Sequence, residues 1–280
     1  MPLLWGVLKE AAESWSAHKD SRQGAALAHY SVFSIGPLIV IAIAIAGFVF
    51  GRDAVAGQVA MSINDLLGET GAKAIQAMLI DASRPRAGLM ATLLGTGALL
   101  FAAIGVVVQL KDALNKVWEV RQTPGSGIWY YVRSYVLSFA GVLALGFLLL
   151  VSLLVTTALA AIGKYAAVYV DEWVLHLTNL VVSFAVIILL FAMMFKWLPD
   201  TLIDWYDVWL GAILTTTFFE IGKFAIGFYI GKQGLESTYG AAASIIVVLI
   251  WVYYSSQIIL MGAEVTRAFA QHNGSRRVSA

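Results

Sequence analysis

Six apolar runs dominate this sequence, near 25–50, 89–110, 134–162, 174–196, 207–230 and 240–264. Each is long enough to cross a bilayer, because about 20 residues of α-helix span the roughly 30 Å of hydrocarbon. In that solvent only helices and closed barrels satisfy every backbone N–H and C=O, and these runs lack the alternation of barrel strands. The fold class that follows is all-α: a polytopic membrane protein with six transmembrane helices plus short amphipathic interfacial helices. The chain as a whole agrees, with 60% of its 280 residues hydrophobic and 12% charged. A soluble domain carries about 25% charged residues, so a soluble body with one apolar anchor is excluded.

Lys and Arg set the orientation of such a bundle, since cytoplasmic loops carry the excess. With the N-terminus inside, the inner set holds Lys9, Lys19, Arg22, Lys111, Lys116, Arg121, Arg133, Lys196, Arg267, Arg276 and Arg277. The outer set is shorter: Arg52, Lys73, Arg84, Arg86, Lys164 and Lys232. Both ends are therefore expected in the cytoplasm. Trp118, Trp129, Tyr130, Trp197 and Trp205 would form the inner aromatic belt, with Tyr165, Tyr169, Trp173, Tyr229 and Tyr239 in the outer one.

The expected organisation is a cytoplasmic amphipathic segment at 1–24, a six-helix transmembrane domain at 25–264 and a cytoplasmic tail at 265–280. In the first segment Leu3, Leu4, Val7, Leu8, Ala11, Ala12 and Trp15 recur at helical spacing, as in a helix lying at the inner interface. Glu10 and Glu13 interrupt any signal-peptide pattern, so the N-terminus is expected to be retained. The outer connection at 51–88 shows two short helical patterns, at Val55, Val59 and Ile63 and at Ala74, Ile75, Met78 and Leu79. Packing of a long connection and a lid over a substrate path are both open for it.

Several function classes are disfavoured. A net charge of +1 with mixed signs offers no basic face for a phosphate backbone, so nucleic acid is not an expected partner. There is no cysteine, which removes disulfides, thiolate metal sites and cysteine nucleophiles. The four histidines show no HExxH spacing, and neither a GxxxxGK[ST] loop nor a GxSxG elbow occurs. The expectation is a non-enzyme with no cofactor and no metal. Membrane lipids and a small-molecule or lipid substrate are the expected partners, with homo-oligomer formation left open.

Polar groups within the apolar runs are the candidate functional residues. In the first run His29, Phe33 and Pro37 are spaced i, i+4, i+8, with Tyr30 and Ser34 on the adjoining stripe. Pro37 removes a backbone donor and displaces the carbonyl of Phe33, which predicts a kink. Interhelical hydrogen bonding and a ligand-facing surface are both open for this face. In the fifth run Glu220 and Lys223 lie one turn apart near mid-membrane, either a self-neutralising structural pair or a substrate or coupling-ion site. In the last run Gln257 and Glu264 share a face, with Glu264 near the inner boundary. Arg22, Lys111 and Asn115 are placed at a similar depth, which predicts an inner gate or an interfacial salt bridge. Two GxxxG matches, Gly47–Gly51 and Gly227–Gly231, are no more than 25 glycines give by chance, and no interface is drawn from them.

Several stretches together resemble one family. They are Ala25–Pro37, then Ala113-Leu-Asn115-Lys-Val-Trp118-Glu-Val, then Lys196-Trp-Leu-Pro199-Asp200 followed by Gly211-Ala212. Tyr239-Gly240-Ala241 leading through Trp251-Val-Tyr253 to Gly262-Ala263-Glu264 is the most specific. In order and spacing they are similar to the bacterial YihY/BrkB-type inner-membrane proteins, once labelled ribonuclease BN. The resemblance implies a six-span, multi-pass protein of the bacterial inner (plasma) membrane, exporting solutes or lipid precursors or aiding resistance to serum killing. His29 stands where family members often carry an aromatic residue, and Glu220–Lys223 is outside the family pattern. The expected function is that of a transporter or flippase-like exporter without ATP hydrolysis of its own, its path lined by the first, fifth and sixth runs. The alternative is a non-transporting membrane scaffold that binds lipid or partner proteins.

Overall fold

The computed structural model describes residues 2–51, 89–120, 172–233 and 243–273, with helical residues also at 55–57, 59–61, 63–64, 72–73 and 75–76. Within these the long elements are α1 (Pro2–Ala17), α2 (Asp20–Phe50), α3 (Leu89–Val117), α4 (Glu172–Trp197), α5 (Trp205–Gln233) and α6 (Ala243–Asn273). No strand occurs among the described residues. Among the described residues, three segments are long and apolar enough to cross a membrane: Leu180–Trp197, Trp205–Ile226 and Ile245–His272. The runs near 25–50 and 89–110 fall on α2 and α3, while the run near 134–162 lies outside the described residues.

Helix α6 is the hub of the bundle, packing on α5, α2, α1 and α3. Small residues let it do so, because without a Cβ two backbones can approach closely in lipid. At Gly211 a Cβ would stand 2.3 Å from the carbonyl oxygen of Gly262 and 1.9 Å from Thr266 Oγ1. At Gly262 it would meet Thr215 Oγ1 at 1.8 Å. Along the same pair, Gly222 leaves the notch that Tyr254 fills, and the Tyr254 hydroxyl donates to the Phe218 carbonyl at 2.7 Å. Gly24 on α2 is covered by the Gln257 side chain of α6. None of these four glycines belongs to the GxxxG matches. The hydroxyls at the α5–α6 contact are satisfied inside their own helices: Thr215 donates to Gly211 O and Thr266 to Gly262 O, each at 2.8 Å.

The main core gathers Leu27 of α2, Leu114 of α3 and Trp118 just beyond it, Phe195 of α4, Val208 of α5 and Leu260 of α6. At the far end Ile75 is fully buried against Ile226, Val247 and Trp251, so this residue of the 51–88 stretch packs onto α5 and α6. Helix α1 docks on α6 through Val7 and Ala11, which bury against Val265 and Ala268. Its Leu4, Trp5 and Leu8 remain exposed, so only part of its apolar stripe faces the bundle. The outward faces of α4 and α5 carry exposed Leu180, Leu189, Ile213, Ile221 and Phe224, as a lipid-facing surface requires. Trp197, Trp205 and Trp209 stand in a row at one end of those two helices, with ring centroids 5.8 Å and 6.4 Å apart.

Candidate functional site

Two helix-ending turns and one helix build a buried polar cluster at the α1 end of the bundle. After α1, Lys19 takes the left-handed conformation (φ 58, ψ 44), and this turn leaves His18 pointing at α6 while Asp20 opens α2. The helix dipole favours a carboxylate at that position. At the end of α3, Val120 N–H donates to the Asn115 carbonyl at 2.9 Å and Glu119 N–H to that of Lys116 at 3.0 Å. This is the double closure that normally ends in a left-handed glycine, yet Glu119 holds the position with φ 49. A side chain there costs roughly 1–2 kcal/mol of backbone strain. What the position gains is a carboxylate that accepts from Arg267 Nη2 and lies 3.3 Å from His18 Nε2.

Helix α6 supplies the centre. Glu264 is 1% exposed, Asp20 0%. His18 Nδ1 lies 2.6 Å from Glu264 Oε1, and Arg267 Nη1 lies 3.6 Å from Glu264 Oε2. Neither oxygen of Asp20 meets a donor. The Asp20 and Glu264 carboxyls face each other, a contact that becomes a hydrogen bond only when one of them carries a proton. Burial pushes the Asp20 carboxyl up to about 7, with the Glu264 charge adding to the rise and His18 opposing it. His18, Asp20 and Glu264 each direct a metal-ligating atom inward, all within 4.8 Å of one another.

A second cluster ties the end of α3 to the α4–α5 connection. Asn115 Nδ2 donates to Asp200 Oδ2 at 2.9 Å, and Asp200 N–H donates back to Asn115 Oδ1 at 2.7 Å. Lys111, one turn earlier on α3, brings its Nζ to 2.8 Å from Asp200 Oδ1. Lys196 closes the loop by donating to the Ile203 carbonyl.

On α5, Glu220 and Lys223 form an ion pair of 2.6 Å with side chains 23% and 28% exposed. The Lys223 ammonium also stands 6.0 Å from the ring centroid of Phe219. The exposed Ile221 and Phe224 each follow one member of this pair in sequence.

The other sequence-derived candidates are placed as follows. His29 is exposed and makes edge-to-face contacts with the rings of Tyr30 at 6.0 Å and Phe33 at 5.4 Å, both exposed as well. Ser34 is buried and donates to the Tyr30 carbonyl at 2.9 Å. Helix α2 continues through Pro37, whose side chain lies outside the described residues. Gln257 spans the gap to α2, its Nε2 3.5 Å from the Ser21 carbonyl. The expected neighbours of Glu264 differ from those found. Its partners are His18 and Arg267, Lys111 and Asn115 hold Asp200 instead, and Arg22 is exposed. The α1–α2 turn is the reason, because it inserts His18 and Asp20 at α6 and turns the Arg22 side chain outward. Sequence reasoning missed His18, Asp20, Glu119, Asp200 and Arg267 as site residues. Glu119 and Asp200 sat within the family stretches, whereas His18 is 246 positions from Glu264 and carried no local signal.

A family model described as Virulence factor BrkB matches residues 11–280. A UPF0761 membrane protein of Psychrobacter sp. (strain PRwf-1) is 28% identical over 88% of this chain and 45% of its own length. One from Albidiferax ferrireducens is 30% identical over 60% of this chain and 39% of its own. One from Stenotrophomonas maltophilia (strain K279a) is 26% identical over 91% of this chain and 59% of its own. The chain thus spans about half the length of the curated relatives it matches. No solved structure matches it.

Proposed function

We propose, from the premise that this chain belongs to the BrkB family of membrane proteins, that it is a flippase-like exporter of a lipid-like or small amphiphilic substrate. It crosses the bacterial inner membrane six times, keeps both ends in the cytoplasm and hydrolyses no ATP. The observation that carries this proposal is the Glu220–Lys223 pair, charged, partly exposed and flanked by outward apolar residues of α5. A single ionised side chain at bilayer depth costs about 2.5–3.5 kcal/mol, so two of them on a surface open to lipid need a reason. A zwitterionic head group supplies one: its anionic part can pair with Lys223 and its cationic part with Glu220, while the acyl chains stay in hydrocarbon. The path then follows the outside of α5. Between α5 and α6 there is no room for one, since the two backbones touch at Gly211 and Gly262.

That close packing is also what favours the second reading, a membrane scaffold that binds lipid without moving it. Proteoliposomes with fluorescent phospholipids and small solutes separate the two. Transport predicts that the protein accelerates transbilayer movement and that Glu220→Gln and Lys223→Met each abolish it. Removing both charges restores stability without restoring flux, because an apolar replacement for an ion pair is often neutral or better. Wild-type flux in the double variant, or none in the wild type, overturns the exporter. Orientation is tested on the same protein with single cysteines at Asp65 and Gln122 in a chain that has no other. An impermeant thiol reagent outside spheroplasts should label position 65 and spare 122, and the opposite pattern reverses the topology.

A further inference from the structure

We propose that His18, Asp20 and Glu264 form a binding site for one zinc-class divalent cation that staples the α1–α2 turn to α6. The three side chains come from two places far apart in sequence and converge on one buried point, with their ligating atoms within 4.8 Å of one another. Ligands on opposite sides of such a cation stand roughly 4.4 Å apart at most, so the site closes on a metal by small side-chain rotations. Asp20 is fully buried, and both its oxygens lack a donor. The Oε2 of Glu264 also lacks a hydrogen bond, its nearest cation being Arg267 at 3.6 Å. Three of the four oxygens on these two buried carboxylates thus lack a hydrogen-bond donor, His18 Nδ1 at 2.6 Å from Glu264 Oε1 being the one close contact, and a cation between them removes that deficit.

The surroundings match what a bound metal requires. A ligating histidine usually passes its second ring N–H to a carboxylate, which fixes its tautomer and orientation. His18 does this geometrically: Nδ1 faces Glu264 at 2.6 Å while Nε2 faces Glu119 at 3.3 Å. Glu119 is in turn held by Arg267, so those two charges balance each other. The remaining negative charges of Asp20 and Glu264 equal the charge of one divalent ion. One imidazole nitrogen with two carboxylate oxygens suits Zn²⁺, Mn²⁺ or Fe²⁺, whereas Mg²⁺ prefers an all-oxygen octahedral shell. Three protein ligands leave a further position for water.

The experiment uses the full chain, without a histidine tag, in detergent after treatment with a chelator. Zn²⁺ binding is read by calorimetry and by metal content after equilibrium dialysis, and Co²⁺ reports coordination through its visible spectrum. The expected result is one Zn²⁺ per chain, weakened at least tenfold by Asp20→Asn and by His18→Gln. Glu119→Gln, which removes the orienting carboxylate and with it the negative partner of Arg267, should weaken binding by about 10–100-fold. His272→Ala, at the separate surface pair with Glu10, should leave binding unchanged. If Asp20→Asn does not fold, His18→Gln and the Co²⁺ spectrum read the same site. The proposal is overturned if the wild type binds no Zn²⁺, which makes the two carboxyls a proton-sharing pair. It is equally overturned if His18→Gln binds like the wild type or if His272→Ala removes the bound ion.

Discussion

Replacing Gly211 by alanine should drive α5 and α6 apart, and the size of the effect follows from the contact. The added Cβ would sit 2.3 Å from the carbonyl oxygen of Gly262, a backbone atom that cannot turn aside. Ordinary contact begins near 3.4 Å, so the crossing must open by roughly an ångström. The same methyl would stand 1.9 Å from Thr266 Oγ1, whose rotation would also break its bond to the Gly262 carbonyl. Overpacking of this kind costs typically 1–3 kcal/mol, and the gain from placing alanine in a helix returns about 0.8–1.0 kcal/mol. The clash is backbone on backbone, so the upper part of the range applies and the net loss is about 1–2 kcal/mol. Gly105→Ala is the matched control, because nothing lies within 4 Å of its added Cβ and only the helix gain remains. Thr266→Ala combined with Gly211→Ala should recover part of the loss, since it removes the hydroxyl clash and leaves the carbonyl one. Denaturation in mixed micelles with rising SDS, followed by circular dichroism, measures all three. If Gly211→Ala is as stable as Gly105→Ala, the two helices do not touch at Gly211 and Gly262, and the exclusion of a path between them fails as well.

Other outcomes follow from single contacts. Asn115→Ala removes both hydrogen bonds to Asp200, one of them to a charged acceptor, and should lower stability by about 2–3 kcal/mol in the same titration. Asn115→Asp should be worse, because it adds a second negative charge at that oxygen. Tyr254→Phe keeps the ring in the Gly222 notch and loses only the bond to the Phe218 carbonyl, a change of about 1 kcal/mol. A loss comparable to that of a cavity mutation would mean that the ring itself had moved. Pro37→Ala restores a donor for the Phe33 carbonyl, so stability should hold or rise, and flux in proteoliposomes should stay at the wild-type level because the proposed path follows α5 rather than α2. Reduced stability with unchanged flux would make the proline a structural residue.

Much of the architecture was written into periodicity. An apolar run of about 20 residues has few alternatives to a membrane helix, because lipid offers the backbone no other partner. The helical runs and the interfacial placement of Trp197 and Trp205 could likewise be read from the sequence, whereas which faces of α4 and α5 stay exposed could not. Glu220 and Lys223 were also legible, since residues three apart on a helix are neighbours by construction. The stretches around Asn115, Asp200 and Gly262 pointed to the family, but without saying what those residues touch.

The sites that remained hidden are those where long-range geometry decides. His18 reaches Glu264 across 246 positions, and that meeting depends on a left-handed Lys19 that no propensity favours. Glu119 enters the cluster only because α3 ends on a strained left-handed residue where glycine would be the natural choice. The glycines that set the α5–α6 distance lie outside any recurrent spacing, because it is the crossing point of two helices that makes a position intolerant of a Cβ. The sequence by itself determined that this chain is a bundle of helices in lipid, since a backbone in hydrocarbon must bond within its own segment. Which buried charges meet was decided by tertiary structure alone, because the energy of a charge in a low-dielectric interior depends on partners that only packing brings within a few ångströms.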